Sequence, residues 1–152
     1  MKIQGQTALV TGAGSGLGEA TAHELARLGA KVAVLDINLA NAEKVAADIN
    51  TAHGAGRAVA CQCDITDTAS LQAALAKAAA AQGPARMLMN IAGIGSAKRI
   101  VGKDGHAAPL EDFVRVINVN LIGTYNAGRL FAAECAKLAP LEDGERGVML
   151  FT

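Results

Sequence analysis

The sequence has 152 residues, room for one domain with a single core. Hydrophobic residues make up 51% and aromatics only 3%, so the core has to be assembled from Ala, Val, Leu and Ile, as in buried parallel sheets. Lys plus Arg and Asp plus Glu balance at 14 each without a basic cluster, which argues against nucleic acid or anionic membrane as partners, and no apolar run approaches the about 20 residues that span a bilayer.

The first strand is expected within a few residues of Met1, leaving no space for a signal or transit peptide and implying a cytoplasmic location. Ala8, Leu9 and Val10 read as a short buried strand bounded by Gly5 and Gly12, and residues 19–28 carry apolar side chains at helical spacing. The glycines of residues 7–18 (TALVTGAGSGLG) therefore fall at a strand-to-helix turn. There the unpaired N–H groups and positive dipole end of a helix can receive the pyrophosphate of a dinucleotide without any cationic side chain. The G-x-G-x-x-G spacing fails, because a pattern started on Gly12 and Gly14 meets Leu17. T-G-x-x-x-G-x-G fits, on Thr11, Gly12, Gly16 and Gly18. By the physics of the related fingerprint, Gly12 makes the tight turn, Gly16 lets the backbone approach the pyrophosphate, and Gly18 lets the helix pack closely on the strand.

Gly29 ends the first helix, and residues 31–36 (KVAVLD) read as a second buried strand. Asp36 at its end is about 20 residues past the glycine turn, where an acid accepts hydrogen bonds from the adenosine ribose and repels a 2′-phosphate. Ala13, Gly14, Ser15, Ile37 and Asn38 offer no cation, so the expected cofactor is NAD and not NADP. Asn38 or Asn41 caps a helix to about residue 52, residues 57–63 form a third strand, and Asp67 or Thr68 opens an alanine-rich helix closed by Gly83 and Pro84. Residues 87–89 make a fourth strand, residues 110–138 a long helix with Pro140 after it, and residues 147–151 a fifth strand. The alternation predicts an α/β fold: a Rossmann-type, doubly wound parallel sheet with helices on both faces, with residues 1–152 as one NAD-binding domain.

The T-G-x-x-x-G-x-G stretch strongly resembles the fingerprint of the short-chain dehydrogenase/reductase family, and the resemblance runs the whole length of the chain. Asn90, Ile91, Ala92 and Gly93 (NIAG) stand where that family usually has N-N-A-G, with Ile91 the departure; Asp64 and Ile65 match its adenine-side acid-hydrophobic pair. Asn120 and Gly123 match its hydrophobic-Asn-hydrophobic-x-Gly motif, whose Asn belongs to a catalytic tetrad with Ser, Tyr and Lys. The resemblance thus implies cofactor contacts from Gly12, Ser15, Gly16, Leu17, Gly18, Asp36, Asp64, Ile65, Asn90, Ile91, Ala92, Gly93 and Val119, and a catalytic role for Asn120. Residues 102–123, with GERGV at residues 144–148, look specifically like the type-2 3-hydroxyacyl-CoA dehydrogenase group. That implies an NAD-dependent oxidoreductase that oxidises a 3-hydroxyacyl-CoA or a related secondary alcohol and assembles as a homotetramer.

The remaining chemistry is not where the family would have it. The one tyrosine, Tyr125, is followed four residues on by Arg129, not by the Lys that would acidify a phenol. It is not expected to be the base. By the same resemblance, the Ser, Tyr and Lys lie beyond Thr152, so the sheet is expected to be incomplete on its C-terminal side and these residues inactive alone. The alternative is a non-catalytic fragment that binds NAD or a partner. Cys61, Cys63 and Cys135 read as reduced core thiols and no metal site is expected. The polar loop at residues 95–108, with Lys98, Arg99 and Lys103, is expected either to border a substrate or to be a solvated charged loop.

Overall fold

The computed structural model describes residues 1–152. Strand β1 (Thr7–Thr11) leads through the glycine turn into helix α1 (Gly16–Arg27), and β2 (Lys31–Asp36), α2 (Leu39–His53), β3 (Ala58–Gln62), α3 (Thr68–Gln82) and β4 (Ala85–Asn90) follow in strict alternation. A long connection then reaches α4 (Leu110–Ile117), a π-helical turn (Asn118–Gly123), α5 (Thr124–Ala136) and β5 (Val148–Phe151). All strands are parallel, in the order β3-β2-β1-β4-β5. This is the Rossmann-type sheet expected from the alternation.

The period-two alternation of strand side chains divides the core between the two faces. Ala8, Val10, Val32 and Val34 meet Ala22 and Leu25 of α1 and Val45 and Ile49 of α2. Leu9, Ala33, Leu35 and Leu88 point the other way, to Leu71 and Ala74 of α3 and Phe131 of α5. β5 is different, with Val148, Met149, Leu150 and Phe151 all exposed. No helix is long and apolar enough to cross a membrane.

One expectation needs revision. The helix expected over residues 110–138 is interrupted by the π-helical turn at the Asn120 motif. Gly123 lies against Ile65 there, where an added Cβ would come within 2.7 Å of the Ile65 Cγ1. Single π-turns within a helix are characteristic of functional positions. The loop at residues 95–108 also contains a small antiparallel turn. Val101 bridges Ala107, Gly102 N–H donates to the His106 carbonyl at 2.8 Å, and Gly105 has φ +78°. Its Lys98 is paired with Asp112 of α4.

Candidate functional site

The C-terminal ends of β1, β2, β3 and β4 open onto one cavity of about 450 Å³. Ligand pockets commonly span about 300–1,000 Å³. Its floor is the glycine turn. Gly12 has φ +63°, and an added Cβ would sit 2.8 Å from the Ala92 Cα, so this glycine serves both the turn and the close approach of β4. Gly16 has φ +56° with no heavy atom within 4 Å of its would-be Cβ, so its bare backbone faces open space. Gly18 packs its Cα directly against the Gly12 carbonyl.

Helix α1 begins on this floor without a side-chain cap. Ser15 at its N-cap makes no capping hydrogen bond, and the first helical bond is Glu19 N–H to the Ser15 carbonyl at 3.2 Å. By contrast, Asn38 Oδ1 caps α2 by accepting from Asn41 N–H at 3.2 Å, and Asp67 Oδ1 caps α3 by accepting from Ala69 N–H at 2.8 Å. The first-turn N–H groups of α1 are thus left to whatever enters the cavity, and such groups favour an anion. Ser15, Gly16, Leu17 and Gly18 all line it.

The walls come from the neighbouring strand ends. Asp36 stands at the end of β2, with Oδ2 accepting Gly14 N–H at 2.8 Å and Oδ1 accepting Asn38 N–H at 2.9 Å. Asp64 and Ile65 follow β3; Ile91, Ala92 and Gly93 follow β4; Val119 reaches in from the π-helical turn. No lysine or arginine lines the cavity. A dinucleotide with a charged pyrophosphate fits these residues, since uncapped backbone donors face one part of the cavity and a carboxylate another.

Two of the residues named from the sequence stand apart from the cavity wall. Asn90 is buried in β4, its carboxamide without a hydrogen-bond partner, while its carbonyl accepts from Thr152 N–H at 3.3 Å and from Thr152 Oγ1 at 3.2 Å. Asn120 is exposed and bonds the Ile94 peptide, accepting from its N–H and donating to its carbonyl.

Three wall residues, Ile37, Cys63 and Ile94, were not among the cofactor contacts expected from the sequence, although each directly adjoins an expected one at a strand end. Burial pushes the Cys63 thiol up to about 12, helped by Cys61, Asp64 and Asp36, so it remains a neutral wall group. Thr11 of the fingerprint is a strut: its buried Oγ1 accepts the Ile91 and Ala92 N–H groups, both at 3.1 Å. Tyr125 is outside the cavity with its ring exposed, and Arg129 instead donates to Asn126 Oδ1, at 2.7 Å from one guanidinium nitrogen. Asn126 in turn donates to the Ile65 carbonyl at 2.9 Å, so the pair is occupied in holding α5 to the end of β3.

Residues 6–151 match the short chain dehydrogenase family. The chain belongs to that family. It is 40% identical over 151 residues to 3-hydroxyacyl-CoA dehydrogenase type-2 of Bos taurus, a match covering 99% of this chain and 56% of that one. Among solved structures it is similar to 3-hydroxyacyl-CoA dehydrogenase type-2 from Mycobacterium avium, with TM-score 0.85, 34% identity, and coverage of 97% of this chain and 55% of that one. It is also similar to 3-ketoacyl-(acyl-carrier-protein) reductase from Brucella melitensis complexed with NADH, with TM-score 0.84, 34% identity, and coverage of 98% and 57%. The chain thus spans little more than half the length of these family members.

Proposed function

We propose that these residues are the NAD-binding portion of an oxidoreductase that removes hydride from a secondary alcohol, most specifically the 3-hydroxyl of a 3-hydroxyacyl-CoA. The observation that carries the cofactor choice is Asp36. Its carboxylate stands at the cavity wall with no lysine or arginine beside it, an arrangement suited to ribose hydroxyls and hostile to a 2′-phosphate. In this reading Gly12, Ser15, Gly16, Leu17 and Gly18 receive the pyrophosphate, and Asp64 and Ile65 border the adenine. Ile91, Ala92, Gly93 and Val119 line the remainder of the cofactor path, with Asn90 supporting it from within the sheet.

NAD supplies the hydride acceptor when bound. The protein's own contribution from these residues is to bind and orient it, with Asn120 fixing the backbone at Ile94 beside the cavity. No tyrosine reaches the cavity wall, so we assign no proton transfer to this chain and expect no turnover from it alone. The complete protein, in this reading, is a cytoplasmic homotetramer. The exposed Phe113, Leu121 and Tyr125 of the long helical segment support a subunit contact there, which sedimentation of the complete protein tests.

The cofactor reading is tested by replacing Asp36 with Ala. NADH binding, followed by its fluorescence, should weaken by about 1.5–3 kcal/mol, the scale of hydrogen bonds to a charged group. Unchanged affinity would remove the observation on which the reading rests.

A further inference from the structure

The connection from β3 to α3, residues 63–67, carries the cavity wall residues Cys63, Asp64 and Ile65. Cys63 and Asp64 are tied to β2 and α3: Cys63 N–H donates to the Asp36 carbonyl at 2.9 Å and Asp64 N–H to Ser70 Oγ at 3.0 Å. Ile65 is held from elsewhere. Its carbonyl accepts Asn126 Nδ2 at 2.9 Å across 61 residues of chain, and its side chain lies against Gly123, where an added Cβ would come within 2.9 Å of the Ile65 Cδ1. Gly123 closes the π-helical turn and Asn126 is in the first turn of α5, so one helical segment grips this wall residue by backbone and side chain alike.

Asn126 is itself prevented from turning over. A carboxamide has a donor end and an acceptor end of nearly the same shape, so a lone one beside a carbonyl is free to present either. Here Oδ1 accepts from the Arg129 guanidinium twice, from Nε at 3.0 Å and from a terminal nitrogen at 2.7 Å, and from Thr68 Oγ1 at 3.3 Å. A guanidinium has donors only, so Arg129 keeps the oxygen toward itself and the NH2 toward Ile65. Asn126 is buried, and a reversed amide would set two oxygens together out of water.

We propose that Asn126, oriented by Arg129, is a positioning residue for the adenine end of the cofactor: it fixes the Ile65 backbone and with it the apolar wall against which the base rests. This rests on the NAD reading above, in which Ile65 borders the adenine, and adds two residues that lie outside the cavity wall. It also gives Arg129 a role other than tuning Tyr125. Without Asn126 the Ile65 carbonyl loses its donor, and the residue is held by its side chain alone.

The test is a double-mutant cycle on the full chain with Asn126→Ala, Ile65→Ala and the pair, reading NADH by its fluorescence, ADP-ribose by competition against NADH, and fold by thermal melting. Asn126→Ala should weaken NADH and ADP-ribose by the same factor, about fivefold, the scale of one net hydrogen bond. In the Ile65→Ala background it should move either ligand less than about twofold, because residues acting through one contact are not additive. Equal losses in both backgrounds, or a lower melting temperature with unchanged affinities, would make Asn126 a packing residue only and overturn the proposal. So would a loss confined to NADH, since ADP-ribose retains the adenine half.

Should Asn126→Ala not fold, Arg129→Met removes the donors from an exposed position while keeping an apolar stem. It should weaken ADP-ribose about threefold, toward the lower end for one hydrogen bond, and full retention would overturn the proposal. An unmodified chain that binds no NADH sinks the NAD reading and this inference together. One that binds NADH with additive effects sinks the inference alone.

Discussion

Asn120 and Ile94 close a two-bond ring: the Asn120 Oδ1 accepts the Ile94 N–H at 2.9 Å and its Nδ2 donates to the Ile94 carbonyl at 2.9 Å. A carboxamide can satisfy both halves of one peptide unit in this way, and no other side chain except Gln offers that pairing. The ring joins the π-helical turn to the backbone leaving β4, 26 residues earlier.

From this ring we expect Asn120→Ala to lower unfolding stability by about 1–2 kcal/mol, two partly exposed hydrogen bonds at the usual net value. Asn120→Asp should cost a similar amount, because the second oxygen turns a donor toward the Ile94 carbonyl into a repelled acceptor. Urea denaturation of both variants measures this. Stability unchanged in Asn120→Asp would mean that the ring contributes nothing in solution.

The fingerprint glycines should separate by what they lose. Gly18→Ala drives a Cβ into the Gly12 carbonyl, a backbone atom that cannot rotate away, and should cost about 3 kcal/mol or more. Gly16→Ala meets no atom within 4 Å but has φ +56°, so its cost to stability is about 1–2 kcal/mol of left-handed strain. Its new methyl group would project at the cavity floor, so NADH affinity should fall more than stability does. Paired melting and binding curves check this, and equal destabilisation by the two variants would contradict it.

The positions that the sequence made legible are those where spacing and chemistry coincide. Gly12, Gly16 and Gly18 sit at fixed offsets, and Asp36 ends an apolar run. Gly14 was opaque because its N–H serves a carboxylate 22 residues away, a distance no local pattern records. Thr11 was legible as a letter of a motif but not as the acceptor for two N–H groups beyond β4. The π-helical turn escaped because the apolar periodicity of residues 110–138 continues through it. The cause is packing, with Gly123 held against Ile65. Strand and helix ends moved by one to three residues where hydrogen bonding continued past the apolar run, as at β4, which starts at Ala85 and ends at Asn90.

The cysteines give a pH dependence of definite sign. Burial raises the folded-state Cys63 thiol from its ordinary 9.0 to about 12. Between those values the unfolded chain holds fewer protons at this group than the folded one. The stabilisation is therefore complete below pH 9 and is lost as pH rises toward 12, by at most about 1.4 kcal/mol per pH unit. Urea midpoints from pH 8 to pH 11 should fall less steeply for Cys63→Ala than for the unmodified chain. Parallel slopes would show that the thiol does not titrate with unfolding.

The central claim is that the uncapped first turn of α1 and the anchored carboxylate of Asp36 form a site for NAD. Its most direct measurement is an equilibrium titration of the unmodified chain with NADH and with NADPH, under one buffer and salt. We predict saturable NADH binding, at least about tenfold tighter than NADPH, since a 2′-phosphate would face an ionised carboxylate with no cation on the cavity wall. NADPH binding as tight as or tighter than NADH would contradict the account.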